Sequence, residues 1–431
     1  MRLSFILPAS ALVASLSLGC RGRSAAQGRV ETQTLTNGIR VVVLYLPGST
    51  NAALFSFLPL GWAGDGPGQG QWSHLVEHLV VRSTIPADSQ TANAETLPDH
   101  LRLDFYGTVS NWREGLAHHR RWLAGVPFTE ESLATEKPKV NAECDFTARN
   151  LATHKFAIAA WNQAYRHGQP RVELQGDVLQ ADLAQIQRYR DDRLVVLDKV
   201  TVCLVGGIAP DTALPILATE LGGIRSSAKL PGPVKAKGGS LAVVWDLPAR
   251  HLLLTWPIPD PVREGYAALM VAGQWLTMRL SRDPALKATA GMAFAGADLI
   301  TAEGAYFYVS VALKPEATFE GVREVLNAHL RALRTGGAAL AEVPMLAQQL
   351  GYSLNTVPGP AVLQGPAPPN VSPAMLEANI GLQYGMNEHR YGPRRAALGK
   401  QLAAVTAAKV QTAAQKHLSD EKLTICAIRS Q

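Results

Sequence analysis

The stretch GQWSHLVEHLVVRST, Gly70 to Thr84, holds two histidines four residues apart with a glutamate between them. It has helical character. On a helix turning about 100° per residue, positions i, i+3 and i+4 share one face, so His74, Glu77 and His78 project together. Two imidazoles so spaced can bind one zinc ion, and a carboxylate beside them can act as a general base. The order is the inversion of the commoner H-E-x-x-H arrangement. The plain alternative is a helix whose polar residues fall at this spacing by chance, and the rest of the chain decides between the two.

A catalytic zinc needs a third protein ligand and one open position. The candidate is Glu143, at the end of EKPKVNAE (136–143), with Glu136 two helical turns earlier on the same face. One carboxylate can bind metal directly while the other orients the site from behind it. Alone, such a pair reads as a solvated helix face. His118 and His119 are adjacent and point apart on a helix, and His100, His154 and His167 have no companion at metal-binding spacing.

The chain of 431 residues is long enough for two to four domains. With 47% hydrophobic and 18% charged residues it has ample material for packed cores, which excludes a largely disordered chain. A net charge of +6 without a dense Lys/Arg run among aromatics argues against nucleic acid as a partner.

The N-terminus, MRLSFILPASALVASLSLGC, opens with one arginine and then runs apolar to Leu18. That is short for a membrane span and long enough for a signal-peptide core, so residues 1–26 read as an export signal. Two cleavage positions stay open: before Cys20, as in a bacterial lipoprotein, or after Ala26. The expected location is the bacterial periplasm or outer membrane as a lipoprotein, otherwise secretion, with membrane contact only through a lipid on Cys20. The other cysteines, Cys144, Cys203 and Cys426, are odd in number and form no disulfide framework, and Cys203 and Cys426 read as buried small hydrophobes in strand-like runs.

Residues 32–60 read as a hairpin, with turns at Asn37-Gly38 and Pro47-Gly48 and strands over Ile39–Leu46 and Ala52–Leu60. Phe105–Val109 reads as a strand, and Asn111–Leu123, Glu130–Asn150 and residues 179–190 as helices, with Pro138 either kinking its helix or opening a new one. Lys199–Gly206 is a buried strand. Residues 227–240, rich in Gly, Pro, Lys and Ser, are the linker, dividing a half at 30–226 from a half at 241–431. A similar order then restarts: LAVVWDL and HLLLTWPI as paired strands, a helix at Gly265–Leu280, the strand AYFYVSVAL, a helix at Phe319–Leu333 and a closing strand in LTICAIRS. TVPGPAVLQGPAPPNVSP, 356–373, reads as an exposed loop.

At this point the chain resembles the pitrilysin, insulysin and mitochondrial processing peptidase family of zinc metallopeptidases, in its single-chain, two-half bacterial form. LTNGIRVVV resembles the family's opening strand, GWAGDGPGQGQWSHLVEHLVVRST its approach to the zinc helix, and Asn93-Ala94-Glu95-Thr96 its NAxT strand entry. EKPKVNAE is similar to its E-x6-E helix, and GDVLQADLAQIQRYRDDRLVVLDKVTVCLVGGI to the stretch closing the first half. The resemblance implies an α+β fold, two homologous α/β-sandwich halves whose antiparallel-rich sheets pack with helices and enclose a chamber. It implies one Zn2+ per chain on His74, His78 and Glu143, with Glu136 behind the ligands and Glu77 activating a zinc-bound water. Peptides or unfolded polypeptides would be the substrate, added as a strand to a sheet edge near Asn93 and Ala94.

Two departures stand out. The segment between Arg82 and Asn93 is shorter than is usual, so Glu143 follows His78 by only 65 residues (143 − 78). Where relatives carry an Arg and, seven residues later, a Tyr at the substrate, ALKATAGMAF has Lys287 and Phe294. Phenylalanine donates no hydrogen bond to an oxyanion, which typically costs roughly 10²–10³ in rate, and lysine lacks the bidentate fork. Three accounts follow: a weak enzyme, a substitute group such as Tyr306 or Tyr308, or the zinc-bearing chain of a heterodimer whose partner supplies the Arg/Tyr pair. The alternative function is a non-catalytic family member acting as a binding or scaffold subunit.

Overall fold

The computed structural model describes residues 28–86, 89, 91–150, 154–230, 239–261, 263–301, 304–355 and 372–431. The expected export signal with Cys20, the middle of the linker and most of the 356–373 loop lie outside the described residues. Among those described, no helix is long and apolar enough to cross a membrane.

The strands, in chain order, are β1 (Arg29–Thr34), β2 (Arg40–Tyr45), β3 (Asn51–Leu58), β4 (Ala92–Thr96), β5 (Leu101–Thr108), β6 (Arg171–Val172), β7 (Thr201–Gly206), β8 (Ser240–Trp245), β9 (Arg250–Ile258), β10 (Ala290–Thr301), β11 (Gly304–Leu313) and β12 (Thr424–Ser430). They form two six-stranded sheets, ordered β1-β2-β7-β3-β5-β4 and β10-β11-β9-β12-β8-β6. The two sheets repeat one plan. In the first, β7 inserts parallel to β2 and antiparallel to β3; in the second, β12 inserts parallel to β8 and antiparallel to β9. The helices Trp72–Arg82 and Tyr266–Arg282 each follow the strand beyond that insertion and lead to an antiparallel hairpin at the edge, β4–β5 and β10–β11. This is the two-half α+β architecture expected.

The insertions revise the local pairings. Asn37-Gly38 does turn a hairpin, between β1 and β2, with Gly38 at φ +96° where a side chain would be strained. β2 and β3 are then separated by β7, and LAVVWDL and HLLLTWPI are separated by β12. Local spacing cannot anticipate a strand that arrives more than a hundred residues later. The helix expected at 179–190 is two, Leu174–Gln180 and Leu183–Arg193. Asp182 starts the second through a reciprocal capping box with Gln185. Pro138 lies inside a single helix, Glu130–Asn150.

The central strands read as unbroken apolar runs because both sheet faces are covered. Val41 and Val43 of β2, Leu54 of β3 and Leu204 of β7 face the core built with the first half's helices. Val42, Leu44, Phe55, Phe57, Cys203 and Val205 face the other way, onto Ala378, Leu382 and Tyr384 of the helix Pro373–Tyr391, which belongs to the second half of the sequence. The second sheet is treated reciprocally. β6, from the first half, pairs along β8, and Trp161 of the helix His154–His167 packs edge-on against Tyr306 of β11, ring centres 5.1 Å apart. Each half therefore completes the other.

Gly381 lets the Pro373–Tyr391 helix lie against β7, since a Cβ there would sit 2.3 Å from Val205 Cγ1. Val205 is β-branched and stiff. Gly381→Ala is expected to lower stability by about 1–3 kcal/mol through overpacking, read as a fall in the midpoint of urea unfolding; an unchanged midpoint would show that the helix is not held at this distance.

Candidate metal centre

The helix Trp72–Arg82 is held from both ends of its first turn before its functional face matters. Gln71, at φ +64°, turns the chain into it. Asp177 accepts from the Gly70 N–H at 2.7 Å, and its carbonyl from Trp72 Nε1 at 2.9 Å. Asp65 accepts from the N–H and Oγ of Ser73, both at 3.2 Å, and from the Tyr189 hydroxyl. Burial pushes the Asp65 carboxyl up to about 7, although the Tyr189 and Ser73 donors pull the other way. Leu75, Val76, Leu79 and Val80 pack into the core, which leaves His74 and His78 on the half-open side.

There the two imidazoles meet Glu143. Its Oε2 lies 3.5 Å from His74 Nε2 and 3.5 Å from His78 Nε2, and the rings stand 5.1 Å apart at 74°. A hydrogen bond would bring nitrogen and oxygen to about 2.7–3.2 Å. Donors at roughly 2.0–2.2 Å from one tetrahedral ion sit about 3.4 Å from each other. The three ligand atoms all fall within 4.8 Å of one another, and no other group of three His, Cys, Asp or Glu does so among the described residues. The donor set and its spacing fit a zinc ion with a position left for water or substrate.

Behind this group, His78 Nδ1 bonds Glu136 Oε2 at 3.0 Å, while Lys139 Nζ donates to the other Glu136 oxygen at 2.6 Å. A carboxylate on Nδ1 fixes the tautomer and turns the Nε2 lone pair toward Glu143 and His74. Burial lowers the pKa of His78, but the hydrogen bond to Glu136 and the negative charges of Glu77 and Glu143 outweigh it and raise it to about 9. Burial likewise favours the neutral forms of Glu143 and Glu136, yet the imidazoles beside both, and Lys139 beside Glu136, hold them below the usual carboxylate range. The cluster demands positive charge. A dication satisfies that field.

Glu77 lies inward, 7% exposed, and its Oε2 accepts from Thr96 Oγ1 at 2.5 Å. Thr96 ends β4, the edge strand of the first sheet, which also carries Asn93 and Ala94, both half-buried. Lys287 is exposed on the helix Pro284–Thr289, and Phe294 is half-buried on β10, the edge strand of the second sheet; neither belongs to the metal group. Tyr306 and Tyr308 are each 7% exposed and packed in the core, so neither is displayed as a substitute donor. His119 bonds Ser56 at 2.7 Å inside the core, and His100 bonds Asp99 at 3.0 Å. Cys144, Cys203 and Cys426 are buried free thiols. The role of Asp65 leaves no trace at any fixed spacing in the sequence. Thr96 closes the Asn93-Ala94-Glu95-Thr96 stretch, but its bond to Glu77 cannot be read from that spacing.

Comparison with known proteins bears on both halves. A family model described as "Peptidase M16 inactive domain" matches residues 191–350. Among solved structures, a protease from Helicobacter pylori is similar at 16% identity and a TM-score of 0.66, over 94% of this chain and 100% of that one. A peptidase M16 inactive domain from Pseudomonas fluorescens is similar at 16% identity and 0.63, over 94% and 98%. The periplasmic protease PqqL from Escherichia coli is similar at 14% identity and 0.60, over 94% of this chain and 48% of that one. No curated protein matches the chain. Likeness at this identity establishes a shared M16-type fold along nearly the whole chain. The matched family model favours the non-catalytic alternative over an active enzyme. His74, Glu77, His78, Glu136 and Glu143 all lie outside the segment it matches.

Two outcomes are expected. Glu136→Gln should weaken zinc binding about 10–100-fold, measured by competition with a chromophoric chelator; equal affinity would deny Glu136 a part. Asp65 keeps its proton in the folded chain to about pH 7, whereas the unfolded carboxyl releases it near 3.8. The folded state thus binds the extra proton, and stability falls as pH rises from about 4 to about 7, by up to about 1.4 kcal/mol per unit. Asp65→Asn should flatten that slope in urea unfolding, and an unaltered slope would contradict the assignment.

Proposed function

We infer that the chain is a zinc-dependent endopeptidase of M16-type fold acting on peptides or unfolded polypeptides. The observation that carries this reading is the spacing of His74, His78 and Glu143, two 3.5 Å separations about one shared point. When bound, zinc supplies Lewis acidity toward a peptide carbonyl and lowers the pKa of water. His74, His78 and Glu143 would hold the ion, with Glu136 fixing the orientation of His78 through Nδ1. Glu77 takes a proton from the attacking water and returns it to the leaving amine, work worth about 10²–10⁴ in rate. Among the described residues β4 pairs on one side only, with β5, so its open edge offers backbone groups to an extended peptide beside Glu77. Export rests on residues 1–26, and one similar structure is titled a periplasmic protease.

The second reading is a non-catalytic M16-like subunit, and the comparisons back it better than catalysis. The matched model is described as an inactive domain, as is the similar Pseudomonas fluorescens structure. Lys287 and Phe294 in place of an Arg/Tyr pair point the same way. Between the two stands the zinc-bearing chain of a heterodimer, with the donors on a second family member.

Metal analysis of the mature protein, paired with peptide cleavage by wild type and Glu77→Gln, separates these. The catalytic reading expects one zinc per chain in both proteins and cleavage falling about 10²–10⁴-fold in the variant. Zinc well below one per chain, or cleavage surviving the substitution, overturns it. Full zinc with no cleavage, alone or with a second family member, establishes the non-catalytic reading.

A further inference from the structure

Glu77 is a buried carboxylate with, among the described residues, a single hydrogen-bond donor: the hydroxyl of Thr96 at 2.5 Å on Oε2. Its other oxygen takes no hydrogen bond from a described residue. Thr96 is 3% exposed, and it stands where β4 enters the turn to β5. That turn is clamped from two sides. The Leu97 N–H donates to the His100 carbonyl at 2.8 Å, and the Trp62 and Ala63 N–H groups donate to Leu97 and Pro98 at 3.1 and 3.0 Å. Gly61 permits this approach, because a Cβ there would lie 2.2 Å from the Leu97 oxygen. From the far half of the chain, Arg390 of the helix Pro373–Tyr391 grips Asp99 in the same turn with two bonds of 2.7 and 2.8 Å.

We propose that Thr96 is a positioning residue for Glu77, and that the second half holds it in place through the Arg390–Asp99 pair. A carboxylate on one short bond can pivot about that bond and no further. Oε2 is fixed by the Thr96 hydroxyl, while Oε1 takes no hydrogen bond from a described residue and stays free to take up a proton. Remove the hydroxyl and the carboxylate loses its one hydrogen-bond partner among the described residues in a buried setting, so it turns to find another. A general base displaced by about 1 Å can lose up to about 10² in rate without any change in substrate contacts. This role rests on the catalytic reading above. It also gives the second half a part in the chemistry that requires no group of its own at the scissile bond.

The test compares Thr96→Val, which keeps the shape and removes the O–H, with Thr96→Ser, which restores it, in the full mature chain. Four readouts are taken: kcat, KM, zinc content and the thermal unfolding midpoint. The expected result is a fall of kcat by up to about 10²-fold in Thr96→Val with KM, zinc content and midpoint unchanged, and recovery of kcat in Thr96→Ser. A Thr96→Val protein as fast as wild type overturns the positioning role alone. Loss of zinc and of thermal stability together with activity also overturns it, since the residue would then be supporting the fold. Wild-type protein that cleaves no peptide overturns it together with the catalytic reading.

Discussion

A sheet with two apolar faces has to be covered twice, and in this chain neither sheet can do so from its own half of the sequence. Val42, Leu44, Phe55, Phe57 and Val205 would meet water without the helix Pro373–Tyr391. At about 1.5–3 kcal/mol for each large apolar side chain, leaving such a face open would cost about as much as the net stability of an ordinary domain. The same helix ties itself down by polar contacts at both ends: Glu377 accepts from Ser49 and Asn51, and Glu388 from Arg40, while Arg390 pairs with Asp99. Core and candidate site are thereby linked, because the last of these contacts falls in the turn that carries Thr96.

Electrostatics imposes the second constraint. Three carboxylates, Glu77, Glu136 and Glu143, close on two imidazoles in a half-buried place. That crowding favours positive charge at the imidazoles, and the pKa of His78 is raised accordingly. Structural ion pairs of this density are uncommon without a purpose, since burying charge is opposed by desolvation.

How much of this could be read beforehand depends on how far apart the participants lie. The face shared by His74, Glu77 and His78 is a property of five consecutive residues, and the Glu136–Glu143 face of eight, so both were legible once the helices were recognised. Strand existence was legible too, for the same local reason. Strand order was not: β7 and β12 insert between neighbours that otherwise look like hairpins, and only tertiary packing selects that. The helices beyond Phe319–Thr335, among them Val343–Asn355 and Pro373–Tyr391, were not singled out, because long apolar and small-residue segments covering a sheet lack a clean amphipathic stripe. The Arg390–Asp99 pair joins residues 291 apart, a separation at which one sequence carries no signal. Lys287 and Phe294 could be located on the chain but not related to the metal group from spacing alone.

The exchange of covering elements also governs the order in which the chain can come to rest. During synthesis, residues up to β7 emerge long before residue 373 does. The first sheet must therefore wait with Phe55 and Phe57 uncovered, and contacts of such long sequence separation form slowly. An unfinished molecule of this kind displays a greasy face and open strand edges to its neighbours. Holding chaperones at the point of emergence, rather than faster local folding, are what this topology calls for.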